Sequence, residues 1–132
     1  TCILRATAAN VVEVLAYAVV SKRFVSAEQT ITVGGTLTLA HSLGVTPNQV
    51  AGVFVCKTAE LGYPVGDLVH DALTYAYTDA GAQVTTTASS DTSNVYVRYQ
   101  TATGLFRVQH KSTGALSSIT TTNWRLVVRA WA

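Results

Sequence analysis

Between residues 30 and 69 the hydrophobic pattern changes three times, and each change predicts a different element. Ile31, Val33, Leu37 and Leu39 alternate with Thr32, Thr36 and Thr38 around Gly34 and Gly35, the two-residue period of strands that turn one face to a core. A strict two-residue Gly-Gly turn would set Val33 opposite Thr36 and Ile31 opposite Thr38, placing the apolar sets on opposite faces. A three-residue loop with a glycine bulge keeps one apolar face, so the pattern predicts an odd-length hairpin loop. The alternative is that the two strands arch over into opposite sheets. Residues 41–48, HSLGVTPN, follow as a turn cluster in which Gly44 can take a positive φ and Pro47 holds Thr46 extended. Residues 49–57 are apolar at nearly every position, as in a strand covered on both sides. Gly62, Tyr63, Pro64, Gly66 and Asp67 then supply what a tight loop needs: glycines for unusual dihedrals and a proline of fixed φ. Tyr63 is expected to pack its ring against the end of the domain, and Asp67 to bond nearby backbone N–H groups.

Two patterns compete over residues 3–25. Leu4, Ala8, Val11, Leu15 and Ala18 are spaced as one face of a helix, whereas Val12, Val14, Ala16, Ala18 and Val20 alternate as a strand. Val11, Val12, Val14, Val19 and Val20 are β-branched and favour a pleated surface, which predicts an extended, strand-forming arm. Further alternation marks strands at 73–77 and 83–88, and strands are also expected at 95–99, 104–111 and 124–131. Residues 89–94 read as a polar loop and 112–123 as a threonine-rich connection. About eight short, closely spaced strands predict an all-β fold, a single β-sandwich or jelly-roll-like domain. The domain is expected to occupy residues 26–132, with residues 1–25 as an N-terminal arm packed on a partner or a neighbouring subunit.

Composition sharpens this picture. A chain of 132 residues suffices for one self-sufficient core. Only 12% of residues are charged against 48% hydrophobic, so part of the surface is expected to be covered by copies of the chain or by partners. The net charge of +2, carried by scattered Lys and Arg, gives no basis for nucleic-acid binding. The apolar run over residues 6–20 is interrupted by Asn10 and Glu13, is shorter than the ~20 residues of a membrane span, and lacks the basic flank of a signal peptide.

Candidate chemistry is sparse. Cys56 lies among apolar neighbours and reads as a small buried hydrophobe rather than a nucleophile. Cys2, near the start of the chain, is a candidate for a disulfide between subunits. His70 stands between Asp67 and Asp71 without metal-ligand spacing, which favours local surface hydrogen bonding. His41 is expected to bond a carbonyl and fix its corner, and His110 to be an exposed strand-end residue. Asp67, Asp71, Asp79 and Asp91 fall in loop-like contexts, but no motif selects two of them as a glycosidase pair. No cofactor is implied, and a carbohydrate-active enzyme is the remotest reading. Tyr75, Tyr77, Tyr96 and Tyr99 could form a sugar-binding platform, but Tyr96 and Tyr99 fall on opposite faces of one strand, and core packing and subunit contacts are the expected uses of most of them.

The succession TLTLAHSLGVTP, a buried strand and AELGYPVGDLV resembles small β-rich modules of tailed-bacteriophage virion proteins, found in head decorations and in tail or head fibres. Such modules carry a His-x-Leu-Gly-x-x-Pro turn, matched by His41, Leu43, Gly44 and Pro47. They also carry a Gly-Tyr-x-x-Gly-Asp loop, matched by Gly62, Tyr63, Gly66 and Asp67. The ending NWRLVVRAWA fits the same pattern, so the resemblance spans residues 27–132. It implies a structural, non-enzymatic virion protein that associates as a homotrimer and decorates the capsid surface against the major capsid protein. A tail, collar or fibre-tip position, with binding to another fibre protein or a host glycan, is the alternative it allows.

Overall fold

The computed structural model describes residues 2–8, 11–17, 22–70, 72–73, 76–79, 82–101 and 106–132, with 2–17, 76–79 and 82–85 described by backbone alone. The chain is all-β. Its strands are β1 (Cys2–Ala8), β2 (Val11–Tyr17), β3 (Arg23–Val25), β4 (Gln29–Thr30), β5 (Thr36–Ala40), β6 (Gln49–Cys56), β7 (Leu68–His70), β8 (Ala76–Asp79), β9 (Ala82–Thr85), β10 (Thr87–Ser90), β11 (Asn94–Arg98), β12 (Arg107–Gln109), β13 (Leu116–Ser118) and β14 (Trp124–Trp131). A 3-10 turn, Thr121–Asn123, leads into β14.

β14 buries every second residue along its whole length and lies between β3 and β6 in the larger sheet. It pairs antiparallel with β6 over its whole length, from Trp124 opposite Cys56 to Trp131 opposite Gln49. Along its other edge, Arg125 pairs with Thr30 in β4 and Arg129 with Val25 in β3. β7 completes this sheet beside β6. A second, three-stranded sheet runs β10–β11–β5. The two sheets enclose one core in a sandwich-like arrangement. Trp124, Leu126, Val128 and Ala130 enter it from β14, Phe54 and Cys56 from β6, and Val95 and Val97 from β11. Burying a Leu or Val side chain of this kind contributes about 1.5–3 kcal/mol. The hairpin β12–β13 adds Val108, and its flanks add Phe106 and Ile119. Tyr99 meets Phe106 edge to face at 5.8 Å.

Four expectations are corrected by the backbone. The Gly34–Gly35 turn does not close a hairpin: β4 joins β14 in one sheet and β5 joins β11 in the other. Ile31, Leu37 and Leu39 thus reach the same core from opposite sides, which removes the parity conflict that an odd-length loop was expected to solve. The turn is held from outside, with Gly34 N–H donating to Gln100 O at 2.6 Å and Tyr99 N–H to Gly35 O at 2.9 Å. The connection expected at 112–123 contains β13 and the 3-10 turn, and β10 extends to Ser90 into the expected loop at 89–94. Of the strand expected at 73–77, Ala76 and Tyr77 lie in β8, whereas Leu73 is in a turn and, with Ala72, is buried beside β6. At the N-terminal end the strand pattern prevails over the helical spacing. β1 and β2 pair as an antiparallel hairpin from Cys2–Tyr17 to Ala8–Val11, and Arg23–Val25 belong to the β14 sheet.

Gly52 shows how tightly β6 meets its cover. A Cβ there would lie inside contact distance of Leu73 Cγ, 3.0 Å from Leu73 Cδ1 and 3.2 Å from Leu126 Cδ1. Gly52→Ala should therefore lower unfolding free energy by about 1–3 kcal/mol through overpacking. In a Leu73→Ala background the same replacement should cost clearly less, because the space is then open. Urea denaturation of the four-member cycle reads the coupling; strictly additive costs would contradict this packing.

Candidate interaction surface

The motif residues divide into two corners at opposite ends of β6. His41, Gly44 and Pro47 lie in the connection that enters β6 at Gln49; Gly62, Tyr63, Gly66 and Asp67 lie in the loop that follows Cys56. The structure does not bring the two groups to one site.

At the first corner His41 is buried, and both ring nitrogens are engaged. Nε2 donates to Asp91 O at 3.0 Å, while Nδ1 accepts from Leu43 N–H at 3.1 Å. These partners set the tautomer, with the proton on Nε2. The expected carbonyl bond is thus present, and it ties the 41–48 connection to the turn before β11. Gly44 has φ +78°, Pro47 is buried, and Lys22 Nζ donates to Leu43 O at 3.0 Å.

The second corner closes on the end of the sandwich. Leu61 and Gly62 take consecutive positive φ values of 52° and 81°, and Glu60 and Tyr63 exchange backbone hydrogen bonds across them. A Cβ on Gly62 would stand 3.0 Å from His110 Cε1, so space as well as φ favours glycine there. The Tyr63 ring packs edge-on against Trp124 at 5.6 Å, and its hydroxyl donates to Gln109 O at 2.8 Å. Glu60, which the sequence reading passed over, accepts from Trp124 Nε1 at 2.7 Å and from Thr120 N–H at 3.0 Å. Gly66, with φ +95°, donates its N–H to Cys56 O at 2.8 Å. Asp67 departs from expectation: its carboxylate pairs with Lys111 Nζ rather than with backbone N–H groups. Both partners are partly exposed, so this pair is worth no more than about 1 kcal/mol.

Nothing assembled at these corners resembles a reaction centre. Cys56 is fully buried and directs its thiol to Thr58 O at 3.2 Å. His110 accepts from the Ser112 N–H at 3.3 Å and is half-buried rather than exposed. His70 is exposed on β7, while Asp71 lies outside the described residues. Among the described residues no group of three or more His, Cys, Asp or Glu could hold a metal, and no helix is long and apolar enough to cross a membrane. The Cys2 side chain, and with it the expected intersubunit disulfide, lies outside the described residues, as do the Tyr75 and Tyr77 side chains.

The outward face of the three-stranded sheet is a different kind of surface. Its register sets Ser89, Tyr96 and Thr38 side by side, and Thr87, Arg98 and Thr36 in the next outward row. These six line a shallow open groove of about 290 Å³. Tyr96 is exposed while Tyr99 is buried, as strand alternation requires. The Tyr96 hydroxyl donates to Asp91 Oδ2 at 2.7 Å, and Asp91 Oδ1 accepts from the N–H groups of Ser93 and Asn94, both at 2.7 Å. The 91–94 turn therefore connects the His41 corner to the groove. The sequence signal was present in Asp91-Thr92-Ser93-Asn94, an aspartate able to bond N–H groups two and three residues on, but its reach to Tyr96 depends on the hairpin.

No family model, curated protein or solved structure matches the chain.

The bonds from the Ser93 N–H, the Tyr96 hydroxyl and the Asn94 N–H hold the Asp91 carboxyl below its usual range. A depressed carboxyl stabilises the fold above its unfolded value, and the contribution is lost as pH falls through the folded value. Amide protection factors at Ser93 and Asn94 should hold steady from neutral pH down to about pH 4 and fall below it. Protection unchanged down to pH 2 would contradict the arrangement.

Proposed function

We propose that this chain is a self-associating structural protein of a bacteriophage particle, a homotrimer that decorates the capsid surface and has no catalytic role. The observation that carries the reading is the distribution of exposed apolar side chains on so weakly charged a chain. Val45 and Val65, at the tips of the two motif loops, are 50% and 65% exposed, and Val25 and Leu68, on the outward face of the larger sheet, are 46% and 45% exposed. Around them the outward register places Val55, Val127, Arg125 and Arg129. Apolar patches rimmed by arginine suit contacts between protein surfaces. The motif residues support the same reading, because their polar atoms are committed to shaping the loops.

In this reading the outward sheet face meets neighbouring subunits, and the N-terminal segment meets the shell and its major capsid protein. Sedimentation equilibrium should return three times the chain mass for the wild type, and a lower mass for a Val25→Lys, Leu68→Lys double variant that keeps its thermal transition. Removal of residues 1–21, which spares the pairing of Arg23–Val25 with β14, should leave the domain folded and abolish attachment to purified particles. A monomeric wild type would contradict self-association; a truncated chain that still attaches would contradict the role of the segment.

A further inference from the structure

The groove on the three-stranded sheet takes no part in the association proposed above, and its chemistry is of another kind. Four of its six outward side chains are hydroxyl residues, Thr36, Thr38, Thr87 and Ser89, and they flank one aromatic ring and one guanidinium. We infer that this face binds a saccharide bearing a carboxylate, with the sugar ring on Tyr96 and the acid group on Arg98.

Each part of the surface has a use in such a complex. Three strands and two outward rows cover about 10 Å by 7 Å, the footprint of one pyranose ring within a longer chain. The groove volume of about 290 Å³ sits at the lower limit of the ~300 Å³ typical of small-molecule pockets. A tyrosine ring offers an apolar face to sugar C–H groups while its polar edge stays wet. Its hydroxyl is tied to Asp91 and accepts from Asn94 Nδ2 at 3.3 Å, so the ring is held in place before ligand arrives, which lowers the entropic cost of binding. Arg98 is exposed and no carboxylate among the described residues pairs with it, leaving its planar fork available for a bidentate contact with a carboxylate. The hydroxyls of the outer strands can donate to or accept from sugar hydroxyls.

Competing occupants fit less well. Nucleic acid would need several cations along a track, and the two rows hold one. A protein partner would find no apolar centre between the hydroxyls. Cleavage is outside this proposal: among the described residues the carboxylate beside Tyr96 is Asp91, which is occupied by three donors, so the site holds a sugar without hydrolysing it.

The test is an NMR titration of the full chain with trigalacturonic acid and with sialyllactose, against galactotriose and poly-glutamate as controls. At least one acidic sugar should give saturable shifts at Tyr96 and Arg98, with neither control matching it. Arg98→Gln and Tyr96→Ala should each weaken binding about tenfold; Tyr96→Phe, which frees the ring from Asp91, should weaken it about threefold. Should Arg98→Gln not fold, Arg98→Lys serves, keeping the charge without the fork and again weakening binding. No shift with either acidic sugar, equal binding of galactotriose or poly-glutamate, or unchanged affinity in the folded arginine variant would overturn the proposal. The oligomeric mass is read separately, so failure here leaves the structural role standing, and the reverse also holds.

Discussion

Everything in this fold leans on β14 being hydrogen-bonded along both edges while sending alternate side chains into the core. β6 lies against one edge over the full length of the strand, and β3 and β4 share the other. Trp124, Leu126, Val128 and Ala130 are fully buried on its inner face. A strand used on both edges cannot slip by one residue without turning these four outward, so the register of β6 follows from that of β14. Because β6 is fixed, the positions of both motif corners are fixed too, since one leads into β6 at Gln49 and the other leaves it after Cys56. Trp124 extends this control to the second corner, where its ring meets Tyr63 and Phe54 and its indole N–H meets Glu60.

Much of this was legible in the sequence, and the parts that were not have physical reasons. The strands expected at 124–131 and, from its apolar run, at 49–57 are β14 and β6 with nearly their observed ends. Local pattern also foretold that Tyr96 and Tyr99 would part company, that Cys56 would be buried and that His41 would bond a carbonyl. The Gly34–Gly35 turn shows the limit: parity named two solutions, and the choice of the arch rests on contacts with residues 99 and 100, which no local pattern contains. Asp67 was assigned to backbone N–H groups because turn aspartates commonly do this; its partner, Lys111, is 44 residues away in sequence. β13 escaped notice because three residues, two of them serine, carry too little alternation to register.

The two sheets turn different chemistry outward. The larger sheet turns valines and arginines outward, with apolar tips at both motif loops, and these are surfaces suited to protein contact. The smaller sheet turns hydroxyls outward around Tyr96 and Arg98, a surface suited to a small polar ligand. A single turn, residues 91–94, links the buried His41 to the exposed Tyr96 through Asp91. Thus a residue prominent in the motif supports, through backbone and carboxylate, a surface that the motif does not include. The register places four hydroxyl residues around one ring and one guanidinium, an arrangement that no local pattern contains.

The structural role in a phage particle is the central claim, and a reconstruction of the particle at side-chain resolution tests it most directly. The account predicts copies of this sandwich in groups of three on the outer surface of the shell. In each, the outward face bearing Val25 and Leu68 would be covered by a neighbouring subunit, and the Tyr96–Arg98 groove would face solvent. Density for the domain confined to the tail, or single copies with that apolar face exposed, would contradict it.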